Sequence, residues 1–69
     1  MWDVFIDGAS KGNPGEASVG ILIRKDGKVL KTISKTIGLA TNNVAEYTAL
    51  LYALEEALVL NAKKIKVHT

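Results

Sequence analysis

The stretch Val44-Ala45-Glu46-Tyr47-Thr48-Ala49-Leu50-Leu51-Tyr52-Ala53-Leu54-Glu55-Glu56-Ala57-Leu58-Val59-Leu60 decides how this chain folds. Val44, Tyr47, Leu51, Leu54 and Leu58 recur at steps of three and four, the spacing of one helix face. Ala45, Ala49, Ala53 and Ala57 add helix propensity. Asn61 follows as a C-cap, and Lys63 and Lys64 beyond it suit the negative end of the helix dipole. Leu50 and Leu60 fall off the main stripe, so apolar surface spreads over more than one side of this helix. Glu46, Glu55 and Glu56 interrupt the run, which excludes a membrane span. Ile65 and Val67 then begin a strand.

Upstream the periodicity is that of strands. Trp2 to Ile6 is short, aromatic and β-branched, and Asp7-Gly8 ends it. Gly8 to Gly15 reads as a loop rich in glycine. Ala17 to Lys25 alternates through Val19, Ile21 and Ile23. Asp26-Gly27 is a strong hairpin signal, since a type I′ turn needs positive φ at both central residues. The return strand runs from Lys28 to Ile37, and Gly38 to Thr41 connects it to the helix. A tight turn pairs Lys25 with Lys28, Ile23 with Leu30 and Ile21 with Thr32. Val19, Ile21, Ile23 and Leu30 then share one face, and Leu22, Val29 and Ile33 the other. Two partly apolar faces imply a sheet covered on both sides. The order is β-β-β-α-β, an α/β fold. It predicts a three-stranded antiparallel meander, with a fourth strand returned parallel to the first by a right-handed crossover helix.

Length and composition set the limits. Sixty-nine residues form one small unit, with 48% hydrophobic and 23% charged residues and no cysteine. A chain this short buries roughly 60% of its unfolded surface and is marginally stable alone. Disulfides and thiolate metal clusters are excluded as staples. A net charge of +2 is too mild to imply nucleic acid by itself. No signal-peptide pattern opens the sequence, so a soluble, cytoplasmic protein is expected, with no membrane partner.

Two carboxylates stand out. Asp7 closes the first strand and Glu46 lies in the first turn of the helix. A crossover helix packs over the strand it left, so the two can converge. Two hard oxygen donors at a sheet end suit Mg²⁺ or Mn²⁺, which keep waters and accept phosphate oxygens. Asp7 also reads as a turn former before Gly8. Glu46, three residues after Asn43, also reads as the end of a capping box. Spacing alone favours these structural roles. The segment Gly8 to Gly15 lacks a Gly-Lys-Ser/Thr ending and leads into a strand, which argues against a phosphate-cradling P-loop. Trp2 and Phe5 read as core, His68 as structural, and Asp3 and Glu55-Glu56 as solvated surface.

The joint pattern is more specific. Asp7-Gly8-Ala9-Ser10, Gly12-Asn13-Pro14-Gly15, Thr41-Asn42-Asn43-Val44-Ala45-Glu46-Tyr47, the Leu/Ala helix and Ile65-Lys66-Val67-His68-Thr69 occur in this order. Together they closely resemble the N-terminal half of a type I ribonuclease H, over the entire chain. The resemblance implies a ribonuclease H-like fold and hydrolysis of the RNA strand of RNA–DNA hybrids with Mg²⁺ or Mn²⁺. It makes Asp7 and Glu46 the first two catalytic, metal-binding carboxylates. It places Asn13 and Asn42 against the minor groove, where 2′-hydroxyls identify RNA. Thr41 and Asn43 match part of a phosphate pocket, beside helix N–H groups. Gly8 and Ser10 lie beside the RNA strand.

The family continues past Thr69 with its third catalytic aspartate, so the chain reads as a truncated half with two of the metal ligands missing. Weak or absent activity is expected of it alone. An open strand edge at Lys64 to Thr69 and an uncovered sheet face also predict a homodimer or higher homo-oligomer. A non-cleaving nucleic-acid-binding module and a self-associating half-domain are the alternative functions.

Overall fold

The computed structural model describes all 69 residues. The elements are β1 (Trp2–Ser10), β2 (Gly15–Lys25), β3 (Lys28–Ala40), α1 (Asn42–Val59) and β4 (Ile65–His68). They form one four-stranded sheet in the order β3-β2-β1-β4. β1, β2 and β3 are an antiparallel meander, and β4 runs parallel to β1 after the crossover helix, as the sequence predicts. The strands are longer than expected: β1 continues through Asp7 to Ser10, and β3 reaches Ala40. No helix is long and apolar enough to cross a membrane.

The hairpin turn is as read. Asp26 and Gly27 take φ of 51° and 82°, and Lys25 pairs with Lys28. The register then departs from expectation. Arg24 pairs with Val29 but Ile23 pairs with Lys31, so Leu30 is an extra residue on β3. This bulge shifts everything beyond it by one position. Ile21 faces Ile33 instead of Thr32. Ile33 therefore joins the core side, packed against Val4, Ile21, Ile23 and Ala53, while Leu30 is half exposed. A second irregularity lies beside Gly38, whose φ is 80°: Ala17 pairs with Gly38 and Ser18 with Thr36, so Ile37 is an extra residue on β3.

The helix begins earlier than the stripe suggested, and its cap is Thr41 rather than Asn43. Thr41 Oγ1 accepts from the Val44 N–H at 3.2 Å. Glu46 thus falls outside the first turn and does not complete a capping box. At the other end Asn61 adopts φ of 58° just after the terminal residue Leu60. The Ala62 N–H donates to the Ala57 carbonyl at 2.9 Å, and the Asn61 N–H to that of Leu58 at 3.1 Å. This is the paired-bond termination that asparagine or glycine in the left-handed region permits.

Which face of α1 meets the sheet is the main departure from hydrophobicity alone. The buried residues are Ala45, Ala49, Ala53 and Ala57. The large stripe Val44, Tyr47, Leu51, Leu54 and Leu58 points away from the sheet, between 41% and 79% exposed. Gly8 shows why small residues win. A Cβ there would lie 2.3 Å from the Ala45 carbonyl oxygen and 2.6 Å from the Glu46 nitrogen. Helix backbone and strand backbone are in contact at Gly8, and the helix meets the sheet through its small residues.

The helix-free face of the sheet is not bare. Phe5 lies between the Arg24 guanidinium, 4.6 Å from its ring centroid, and the His68 ring, stacked at 4.3 Å. His68 Nε2 lies 2.9 Å from Asp3 Oδ1. Asp3 is therefore half-buried and paired rather than solvated, and Phe5 belongs to this platform rather than to the core under the helix. The bond to His68 holds the Asp3 carboxyl below its ordinary value, helped by Arg24 and Lys66. A depressed carboxylate stabilises the fold above its unfolded pKa, about 3.9, and that stability is lost as pH falls through the folded value. Thermal melts of Asp3→Asn should therefore lie below wild type at neutral pH and converge with it in strong acid. Parallel curves at every pH would contradict this.

Candidate active site

The β1 end of the sheet carries an open cleft of about 270 Å³, lined by Ile6, Asp7, Gly8, Asn43, Glu46, Tyr47, Leu50 and Thr69. The first strand supplies Asp7, and α1 supplies Asn43 and Glu46. Close approach at Gly8 sets the helix down on the strand and brings Glu46 into the same cleft as Asp7, within β1. Both carboxylates are exposed, and neither joins any of the chain's three ion pairs. They are thus unneutralised acceptors facing one solvent-accessible space. No third histidine, cysteine or carboxylate side chain gathers with them. Two carboxylates plus water is a donor set that fits Mg²⁺, which keeps most of its waters and takes one or two protein carboxylates.

Beside the cleft, a second cluster ties the β1–β2 loop to the start of α1. Asn42 Oδ1 accepts from the Ser10 N–H at 2.9 Å and from its Oγ at 3.0 Å. Ser10 Oγ also lies against the Gly12 carbonyl. The Asn42 N–H in turn donates to Asn13 Oδ1 at 3.2 Å. Backbone N–H groups can only donate, so these bonds fix which amide atom of each asparagine faces inward. Both carbonyl oxygens are consumed within the clasp. Neither amino group takes part in the clasp.

The expected site residues therefore sort into three roles. Asp7, Gly8, Asn43 and Glu46 meet in the cleft. Ser10, Asn13 and Asn42 form the clasp. Thr41 holds the helix start, its oxygen engaged by Val44 and its hydroxyl proton still available. Sequence reading missed Tyr47, which lines the cleft and is 64% exposed. Its place in an apolar helical stripe gave it the appearance of a core residue.

The RNase H family profile matches residues 2–69. The chain belongs to the RNase H family. Ribonuclease HI of Halobacterium salinarum is 56% identical over 54 residues, which cover 77% of this chain and 27% of that protein. The crystal structure of RNase H1 from the same halophilic archaeon superposes with a TM-score of 0.91 at 45% identity, over 96% of this chain and 51% of that one. LC11-RNase H1 in complex with an RNA/DNA hybrid superposes at 0.89 with 39% identity, over 97% of this chain and 52% of that one. The RNase H chain described here thus spans about half the length of these solved relatives.

Proposed function

We propose that this chain carries the metal-holding carboxylate pair and the minor-groove clasp of a ribonuclease H acting on RNA–DNA hybrids. The observation that supports it most is the shared cleft of Asp7 and Glu46 beside the Asn13–Asn42 clasp, within this family's fold. Asp7 and Glu46 would hold Mg²⁺ or Mn²⁺. Such an ion supplies an activated water and offsets charge on the reacting phosphodiester. Asn43 and the exposed start of α1 face the same space and offer donors to a phosphate. Neither Asp7 nor Glu46 has an internal partner to give up on binding.

The clasp offers donors only. Amino groups recognise acceptors, which in a minor groove are purine N3, pyrimidine O2 and the 2′-hydroxyl oxygen. Asn42→Asp separates this role from a structural one. A carboxylate can still accept from the Ser10 N–H, but it offers no amino group. Hybrid binding should weaken about tenfold or more, equivalent to roughly 1.4 kcal/mol, with the melting temperature unchanged. Equal affinity of Asn42→Asp and wild type for a hybrid would contradict the assignment.

Cleavage of a labelled hybrid with Mg²⁺ or Mn²⁺ tests the catalytic part. Slow, metal-dependent cleavage of the RNA strand is expected, because two carboxylates hold less charge than the family's full set. The second reading, a module that binds without cutting, is favoured by the completeness of the clasp beside this sparse acidic pair. Salt-dependent binding with no cleavage in either metal would select it.

A further inference from the structure

We propose that the cavity at the C-terminal end of α1 is a second site, one that takes the phosphate backbone of a single-stranded nucleic acid. It stands apart from the ribonuclease reading, since it shares no residue with the cleft or the clasp. The hollow measures about 600 Å³ and is walled by Trp2, Lys25, Leu60, Asn61, Lys63 and Lys64. Trp2 packs on the core beside Ala53, and Lys25 is its partner across β1 and β2. The cavity therefore lies on the sheet face that α1 covers, and β1, β2, the helix end and the connection to β4 form its walls. Asn61, at φ of 58°, ends the helix, and Lys63 and Lys64 line the cavity just beyond it. Along α1 the cavity is roughly 25 Å from the cleft, at about 1.5 Å per residue.

Three cations meet here with no carboxylate among the lining residues. All three lysines are exposed, and none joins an ion pair. Lys25 Nζ stands 5.3 Å from the centroid of the Trp2 ring, which holds one ammonium at the wall. Lys63 and Lys64 are not spent on the helix end, because the carbonyls of Glu56, Ala57 and Leu58 already accept backbone N–H groups. Asp26, next to Lys25, is held by the Met1 amino group at 3.2 Å, and Glu56 by Lys31 at 2.8 Å. The net charge of the whole chain is only +2, so three unpaired lysines around one hollow are a local concentration of charge. Spaced ammonium groups suit a run of phosphates. An aromatic ring beside them is the combination that single-strand sites use. A duplex is too broad to enter such a hollow, whereas the backbone of one strand is not.

Fluorescence anisotropy with a short labelled oligothymidylate in EDTA isolates this site, because it withholds both the metal and the 2′-hydroxyls that the cleft and clasp would use. Log affinity should fall against log salt with a slope of roughly −2, at about 0.7 for each phosphate neutralised. The double variant Lys63→Gln, Lys64→Gln should weaken binding about tenfold or more. Lys11→Gln with Lys35→Gln removes the same charge outside the cavity, and should stay within about twofold of wild type. Asp7→Asn should bind the oligomer at least as tightly as wild type, so this site and the ribonuclease reading fail separately. In nuclear magnetic resonance spectra the oligomer should shift the Trp2 indole N–H and the amides of Asn61 to Ile65, and leave those of Ser10, Asn13 and Asn43 in place. Absence of binding, equal losses in the two double variants, shifts centred on the clasp, or a nucleoside triphosphate that binds as tightly as the oligomer would overturn the proposal.

Discussion

Gly8→Ala is expected to lower stability by about 3 kcal/mol, the upper range for overpacking a close contact. The new methyl would sit 2.3 Å from the Ala45 carbonyl oxygen and 2.4 Å from its carbon. Both are backbone atoms, so no rotamer change relieves the clash. The helix must lift from β1 instead. That separates Ala53 from Val4, Ile21 and Ile23, the cluster at the centre of a core of only nine buried hydrophobic residues. In a domain of this size each kcal/mol is worth roughly 4–8 °C. The melting temperature should fall by more than about 10 °C, a shift thermal denaturation resolves easily. The same displacement would carry Glu46 away from Asp7. A melting temperature within a few degrees of wild type would show that the close approach is not what holds the helix.

Asp7→Asn carries the second large effect, and it should leave stability alone. Asp7 is exposed and takes part in no ion pair. Surface changes of this kind usually stay within about 0.5 kcal/mol. Removing the charge should nonetheless reduce Mn²⁺ affinity at least tenfold, about 1.4 kcal/mol, and abolish any hybrid cleavage. Isothermal titration with Mn²⁺ and a gel assay on a labelled hybrid measure the two losses. Unchanged Mn²⁺ affinity in Asp7→Asn would place metal binding elsewhere, even if cleavage were lost.

The strand–strand–strand–helix–strand order was legible because each element has its own period and its own stop signal. Asp26-Gly27 specified a turn whose φ values only such residues tolerate. The bulge at Leu30 was not legible. Val29-Leu30-Lys31-Thr32, two apolar residues followed by two polar ones, does not alternate and so fixes no register by itself, and what selects the shift is Ile33 meeting Ile21 across the sheet. The helix cap was ambiguous because Thr41, Asn42 and Asn43 are all good capping residues. Tertiary bonds decide among them, since Asn42 is occupied by Ser10 and Asn13. Side-chain size draws attention to the leucine stripe, yet a glycine on the facing strand demands small residues instead. Gly8 and the four alanines were all visible in sequence, but their pairing needs the register of strand against helix. The motif singled out the carboxylates and asparagines, and their division into cleft and clasp emerges only from the folded arrangement.

The central claim is that Asp7 and Glu46 hold a divalent ion in one cleft. Nuclear magnetic resonance with substoichiometric Mn²⁺ tests it most directly, since the paramagnetic ion broadens nearby signals whether or not the chain cleaves anything. The amides of Ile6 to Gly8, Asn43 to Tyr47 and Thr69 should broaden first, and Asp7→Asn should remove the effect. Broadening centred elsewhere, for example at Glu55 and Glu56 or at Asp26, with the cleft residues sharp, would contradict the account.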